Sequence, residues 1–231
     1  MNTALILSGG TGIRLGLDIP KQYILVGGRS IISYCIEQLS MHDGIDAIRI
    51  VAAEEWHETI RQCLRDYDRN GKFTGFSVPG ENRQMSVFHG LQDIRSENEK
   101  DAVVLIHDAA RPNLTSGQIT ECLNALSGHD GVMPVLPMKD TVYLSNEGDR
   151  VLELLERDKI FAGQAPEVFR LEPYYAANER LIPDKILQIN GSTEPAVLGG
   201  LDVVMIPGRE DNFKITTGED LKRFQKIVAE G

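Results

Sequence analysis

A chain of 231 residues is long enough for one substantial core and fits one α/β domain over 1–231 with an embellishment. Its 24 Lys+Arg against 34 Asp+Glu give a formal net charge of -10, which argues against a nucleic-acid partner, since such a partner demands a basic face. Three scattered cysteines with no Cys-x-x-Cys pair suggest neither a disulfide framework nor a zinc site. The first apolar run is too short for a signal peptide or membrane span, so a cytoplasmic protein with no membrane partner is expected.

The apolar run Ala4 to Leu7 is expected to be a buried strand, and it passes directly into Ser8-Gly9-Gly10-Thr11-Gly12. Three glycines within four positions let a chain turn with positive φ and bring successive N–H groups against an anion with no Cβ in the way. Arg14 stands two residues beyond them and Lys21 follows Pro20, so a guanidinium and an ammonium are within reach of whatever the loop cradles. Amides with two fixed cations suit a polyphosphate whose charge grows during reaction. The plainer alternative is a glycine-rich connector with two surface cations. Two common phosphate motifs fail here: a dinucleotide fingerprint needs glycine at Leu15, and a Walker A loop needs Gly-Lys-Ser/Thr.

Val26-Gly27-Gly28-Arg29 is a turn signal, and Ser30 is a fitting N-cap for a helix to about Met41, with Ile31, Ile32, Cys35, Ile36 and Leu39 on one face. A strand over Ile45 to Ala53, a helix from Glu54 to about Tyr67, a strand over Phe73 to Val78, a helix over Gln84 to Arg95 and the apolar run Ala102 to Ile106 follow. This alternation implies a mostly parallel sheet with helices on both faces. Ligands of such sheets sit outside the carboxyl ends of the strands. There the chain places Pro79-Gly80-Glu81-Asn82-Arg83-Gln84-Met85-Ser86 and His107-Asp108-Ala109-Ala110-Arg111-Pro112. Asp108 is the first candidate to bind Mg²⁺, which takes one or two carboxylates plus substrate phosphates; the ordinary alternative is a cap on the Arg111-Pro112 turn.

Beyond Asp140 the character changes. Thr141 to Leu144, the turn-rich Ser145 to Asp149 and Val151 to Leu155 read as an inserted β-hairpin arm at about 139–157, which must pack on something. A helix near Glu172 to Leu181, an apolar run Ile186 to Ile189, a helical turn over Thr193 to Leu198, a strand over Asp202 to Ile206 and a helix from about Glu219 to Ala229 complete the chain. Thr217 with Asp220 forms a capping pair for the last helix. Asp211 and Lys214, at another strand end, repeat the chemistry of Asp108 and Lys21. Asp211 is therefore a second metal candidate, although exposed Asp and Lys are usually mere solvated surface.

Pro20-Lys21-Gln22 together with the 107–112 hexapeptide resembles the cytidylyltransferases that act on polyol phosphates, whose best-known member makes 4-diphosphocytidyl-2-C-methylerythritol in isoprenoid synthesis. Lys139-Asp140-Thr141, Arg157 with Gly163-Gln164-Ala165-Pro166 and Phe169, and Asn212 to Thr216 before Glu219-Asp220-Leu221 extend the resemblance, in order, over nearly the whole chain. It implies a Rossmann-like fold of the nucleotidyltransferase type and a direct displacement: a polyol phosphate oxygen attacks the α-phosphorus of CTP, with a divalent cation present, and pyrophosphate leaves. The attacking phosphate is already anionic, so His42, His57, His89, His107 and His129 need no catalytic role.

The resemblance assigns catalysis to Arg14, Lys21, Arg157 and Lys214. CTP would meet Leu7, Ser8, Gly9, Gly10, Thr11, Gly12, Arg14, Lys21, Asp108 and Ala109, with cytosine read by Gly80, Glu81, Asn82, Arg83 and Ser86. The polyol phosphate would meet Arg111, Asp140, Thr141, Arg157 and Lys214. The arm would embrace a second subunit, making a homodimer in which Thr141 reaches the partner's site; folding back on its own sheet is the alternative. Ser8-Gly9-Gly10, where the isoprenoid enzymes usually carry two alanines before a glycine, is closer to relatives that activate ribitol 5-phosphate. Gly191-Ser192-Thr193-Glu194-Pro195 also departs from the usual Thr-Asp-Glu/Asp-Ala and bears on the polyol pocket. A dinucleotide oxidoreductase is disfavoured by Leu15, and a non-catalytic relative by the joint presence of Arg14, Lys21, Arg157 and Lys214.

Overall fold

The computed structural model describes residues 1–10, 19–97 and 101–230; Thr11, Gly12 and Arg14, expected at the site, lie outside the described residues. Strand β1 (Asn2–Leu7) is flanked in parallel by β4 (Ala47–Val51) and β6 (Val103–Asp108), and β5 (Phe73–Ser77) lies beyond β4. The stretches Ala4 to Leu7 in β1 and Val103 to Ile106 in β6 read as unbroken apolar runs because both their faces are covered. Ala4 and Ile6 face one core together with Ile48, Ile50 and Leu105, while Leu5 faces the other with Val51, Val104 and Ile106. Helices α1 (Ile31–Met41), α2 (His57–Tyr67) and α4 (Ser116–Ala125) cover the first face; α3 (Arg83–Glu97), α5 (Leu171–Glu179) and α6 (Thr193–Leu198) cover the second. Gly90 lets α3 approach β1 closely: a Cβ there would lie 2.5 Å from Leu5 Cδ1.

Among the described residues the sheet has eight strands, in the order β10-β7-β11-β6-β1-β4-β5, with β12 (Val203–Pro207) also paired to β7 (Gly131–Pro137). Strands β10 (Phe161–Gly163) and β11 (Glu167–Arg170) run against the rest, so the sheet is mixed but mostly parallel, as expected. The order β5-β4-β1-β6 reverses its direction of growth at β1, which opens a crevice at the carboxyl ends of β1 and β6.

Among the elements absent from the sequence expectation are α4, β7, β10 and β11. Pro134 and Pro137 argue against a central strand, since proline donates nothing to a ladder. In β7, Pro134 falls where β11 pairing ends and β10 pairing begins, and its carbonyl accepts from Gln164 N at 2.8 Å. The signal for α4 was visible, because Thr115 caps it by accepting from Gln118 N at 3.3 Å, but Gly117 breaks the helical pattern.

The turn at Gly27-Gly28 is real, with φ of 58° and 81°, and joins β2 (Leu25–Val26) to β3 (Arg29–Ser30). Ser30 occupies the N-cap position of α1 without a side-chain cap bond. Thr217 does cap α7 (Gly218–Glu230), with Asp220 Oδ2 accepting from the Thr216 and Thr217 amides. Among the described residues no helix is long and apolar enough to cross a membrane.

The arm forms a two-stranded sheet of its own, β8 (Val142–Leu144) against β9 (Glu153–Leu155), and does not fold back on the main sheet. It carries Tyr143, Val151 and Leu154 at 55%, 66% and 61% exposure. A lone hairpin with apolar side chains in water is marginal by itself.

Candidate active site

The carboxyl end of β1 turns into the glycine loop under tight control. Ser8 N–H continues the sheet by donating to Val51 O at 2.9 Å, and Ser8 Oγ meets the Tyr23 hydroxyl at 2.8 Å. Both groups of Ser8 are thus committed internally, contrary to the expectation that Ser8 binds CTP; available amides begin at Gly9. Pro20 directs the chain into a 3-10 turn, Lys21–Tyr23, that lays Lys21 and Gln22 along the cleft. Neither Gly9 nor Gly10 takes positive φ, so the glycines serve close approach instead. A Cβ on Gly9 would lie 3.0 Å from Pro79 Cβ, whereas one on Gly10 would meet none of the described residues within 4 Å.

The second wall is the loop after β5. Asn82 Oδ1 accepts from Met85 N at 2.7 Å, capping α3, and its Nδ2 donates to Ile186 O at 2.9 Å. Ser86 Oγ accepts from Gly80 N and donates to Asn82 O, both at 2.9 Å. Side chains and backbone of residues 80–86 therefore brace one another, and Arg83 leaves the first turn of α3 in a fixed direction.

Asp108, the last residue of β6, is the hub. Its Oδ1 accepts from Arg83 Nε and Nη2 at 3.2 and 3.1 Å, and its Oδ2 accepts from Lys214 Nζ at 3.0 Å. Arg111 Nε stands 3.5 Å from Oδ2, an ion pair without a hydrogen bond, while Arg111 Nη1 donates to Asn212 O at 2.7 Å. Burial alone would raise the Asp108 pKa, but Arg83, Lys214 and Arg111 outweigh it and hold the carboxyl well below the usual carboxylate range. Arg83 also donates to Ser192 Oγ and lies 3.8 Å from Glu167 Oε2, and Glu167 accepts from Thr193 Oγ1 at 2.8 Å. Burial pushes the Glu167 carboxyl up, against the pull of Arg83.

Next to this hub, His107 is fully buried, and burial lowers its pKa to about 4. Its Nε2 meets Arg111 O at 2.9 Å, which agrees with a structural rather than catalytic role.

The cleft has a volume of about 590 Å³ and gathers most of the expected residues: Leu7, Gly9, Gly10, Lys21, Gly80, Glu81, Asn82, Arg83, Ser86, Asp108 and Lys214. Ala109 is buried behind it and Ala110 lines it instead; Arg111 stands behind Asp108. Gln22 and Thr216 line the cleft without having been assigned roles, although both fall inside motifs quoted above. Glu167 and Ser192 join the network through Arg83; Glu167 carried no sequence signal, and Ser192 only the departure noted at 191–195. Ser192 and Thr193 face Arg83 and Glu167, so the departure at 191–195 lies against the Arg83 side of the cleft.

Other expected residues do not line the cleft. Asp140, Thr141 and Arg157 sit on or at the base of the exposed arm, with Arg157 Nη1 donating to Lys139 O at 3.1 Å. Asp211 corrects the metal expectation. Its carboxylate is held by Arg209 at 3.2 and 3.3 Å, and it lines a shallow groove with Arg29 and Asn113, away from Asp108. Both oxygens of Asp108 face cations, and among the described residues no three His, Cys, Asp or Glu converge as a metal cage requires. The donor set present does not fit a resident metal ion.

Comparison with known proteins accords with this geometry. The family model for 2-C-methyl-D-erythritol 4-phosphate cytidylyltransferase matches residues 3–230. The chain is 35% identical over 222 residues to a bifunctional enzyme IspD/IspF of Paramagnetospirillum magneticum, covering 95% of this chain but only 54% of that protein. It is 30% identical over 230 residues to a ribitol-5-phosphate cytidylyltransferase of Vibrio parahaemolyticus, covering 99% and 96% of the two chains. The solved structure of 4-diphosphocytidyl-2C-methyl-D-erythritol synthase from Anaerococcus prevotii superposes with a TM-score of 0.83 at 25% identity, over 100% of this chain and 96% of that one. Matched by that family model over residues 3–230, the chain belongs to the 2-C-methyl-D-erythritol 4-phosphate cytidylyltransferase family of nucleotidyltransferases.

Proposed function

We propose that the cleft transfers a cytidylyl group from CTP to a polyol phosphate, with 2-C-methyl-D-erythritol 4-phosphate as first choice, as a step in isoprenoid precursor synthesis. The observation that carries this reading is the convergence of Gly9, Gly10, Lys21, Arg83 and Lys214 on one cleft at the switch point of the sheet. Such a cleft gathers three cations, and the reaction needs no general base: an anionic phosphate oxygen bonds to the α-phosphorus of CTP while the bond to the bridging oxygen breaks, its electron pair leaving on pyrophosphate. Lys21 and the loop amides stabilise the α-phosphoryl group and the departing pyrophosphate, together with Arg14. Lys214, held by Asp108, meets the incoming phosphate. Magnesium enters with the triphosphate as part of the substrate.

The two chains of a homodimer complete each site. The arm is apolar, exposed and separate, and it carries Thr141 and Arg157 outside their own cleft; crossing to a second chain both covers its apolar side chains and brings those residues to the second cleft. Ribitol 5-phosphate is the second reading, supported by the Ser8-Gly9-Gly10 form of the loop and by the similarity to a ribitol-5-phosphate cytidylyltransferase over nearly all of both chains. Turnover with CTP against UTP, ATP and GTP tests the nucleotide half of the proposal: pyrophosphate release confined to CTP is expected, and equal release from UTP would contradict it.

A further inference from the structure

Gln22 is only 3% exposed and lies against the glycine loop. Its Nε2 donates to the carbonyl of Ser8 at 2.8 Å and to that of Gly10 at 2.9 Å, so one carboxamide grips two peptide groups of the loop. The Tyr23 hydroxyl reinforces the first grip, donating to Ser8 O at 3.2 Å, and the Tyr23 ring is stacked on Trp56 at 4.5 Å. A trans peptide is planar, with C=O and the following N–H on opposite edges. Fastening the Ser8 carbonyl to Gln22 therefore turns the Gly9 N–H away from Gln22. Because Ser8 N–H is already bonded to Val51 O, the Gly9 amide is the first in the loop that can serve a ligand.

Glycines have no side chains to hold their peptide planes and lose the most conformational freedom on ordering. A glycine peptide that flipped would aim a carbonyl oxygen, not an N–H, at whatever sits in the cleft. For a polyanion that exchange replaces attraction with repulsion. We propose that Gln22 is a positioning residue for the triphosphate: its carboxamide sets the peptide planes of the glycine loop so that amides face the phosphates. The bonds also tie the loop to the turn carrying Lys21, so amides and ammonium hold one arrangement before the nucleotide arrives. Donors fixed in advance need no reorganisation when charge develops. This rests on the cytidylyl-transfer reading of the cleft.

The test compares Gln22→Glu, which keeps the shape but exchanges the amide donors for an acceptor, with Gln22→Met, which removes both. Steady-state kinetics vary CTP and the polyol phosphate separately, calorimetry measures inorganic pyrophosphate binding, and thermal melts establish folding. Expected in folded variants are a fall in kcat/KM for CTP of roughly 10- to 100-fold, weaker pyrophosphate binding, and a polyol phosphate KM within about 2-fold of wild type. A folded Gln22→Glu protein with lower Tm but wild-type kcat/KM for CTP and wild-type pyrophosphate binding overturns the proposal, since a merely structural bond would behave so. Wild-type protein that binds pyrophosphate but does not consume CTP would sink the transfer reading alone, and the pyrophosphate arm would still judge Gln22. If neither variant folds, hydrogen exchange on ¹⁵N-labelled wild type decides: protected Gln22 side-chain amide protons are expected, and freely exchanging ones overturn the assignment.

Discussion

Lys214 Nζ lies 3.0 Å from Asp108 Oδ2, a contact that joins the loop before the last helix to the end of a central strand 106 residues earlier. The same carboxylate takes Arg83 on its other oxygen, so one buried anion places a cation on each side of the cleft. Lys214 and Arg83 would otherwise repel one another; Asp108 makes their approach possible and aims both at the space between.

Asp108→Asn leaves Arg83, Lys214 and Arg111 without their shared anion. Breaking a buried pair from one side costs about 3–5 kcal/mol. Urea denaturation should show a loss of that order, accompanied by loss of turnover; an Asp108→Asn protein as stable and active as wild type would contradict the hub.

Lys21→Ala should leave the fold intact and lower kcat by roughly 10²- to 10³-fold, the usual size for one lost electrostatic contact to a developing charge. Lys214→Ala should act mainly on the KM for the polyol phosphate. Steady-state kinetics of the two variants in parallel check the division of roles, and near-normal turnover of folded Lys21→Ala would contradict it.

The proposed crossing of the arm to a second chain has a signature that no single-chain site can imitate. Lys21→Ala and Arg157→Ala chains are each expected to be nearly inactive. Mixed and allowed to exchange, they form hybrid dimers in which one site has both an intact cleft and an intact arm. Recovery of about a quarter of wild-type activity is expected for random exchange of a two-fold dimer. No recovery, with exchange shown by native mass spectrometry, would place Arg157 in its own chain's site. Leu154→Asp should shift the dimer toward monomer in light scattering.

Acid sensitivity should be traceable to His107. Its folded pKa of about 4 lies below the ordinary 6.5, because burial disfavours the charged ring. Between those values the unfolded chain binds the extra proton, so stability is fully present above pH 6.5 and falls as pH drops toward 4. The loss approaches about 3 kcal/mol, at 1.36 kcal/mol per pH unit. His107→Gln should flatten the stability profile between pH 6.5 and 4, and an unchanged slope would show that His107 is not the group responsible.

Much of the fold was legible because its strands are buried on both faces and its helices carry one-sided apolar stripes, as in β1 and α1. Elements defined by tertiary pairing were not: β7 carries Pro134 where β11 hands over to β10 and Pro137 at its last position. In the site, Lys21, Arg83, Asp108 and Lys214 were legible as charges just beyond or at strand ends. The contacts of Glu167 and Ser192 were not, since they depend on β11 and the start of α6 meeting Arg83 from distant parts of the sequence. Ser8 was over-read: its amide belongs to the sheet, a fact of register that local composition does not carry. Asp211 was over-read for a similar reason, since a carboxylate near Lys214 in sequence points to Arg209 in space.

The measurement that tests the account most directly is pyrophosphate release by the purified protein with CTP and Mg²⁺, run in parallel on 2-C-methyl-D-erythritol 4-phosphate and ribitol 5-phosphate. Turnover that requires a polyol phosphate, and is faster with the former, is the expected result. Turnover on ribitol 5-phosphate alone would move the protein to the second reading, and no release with either substrate would contradict cytidylyl transfer to these polyols.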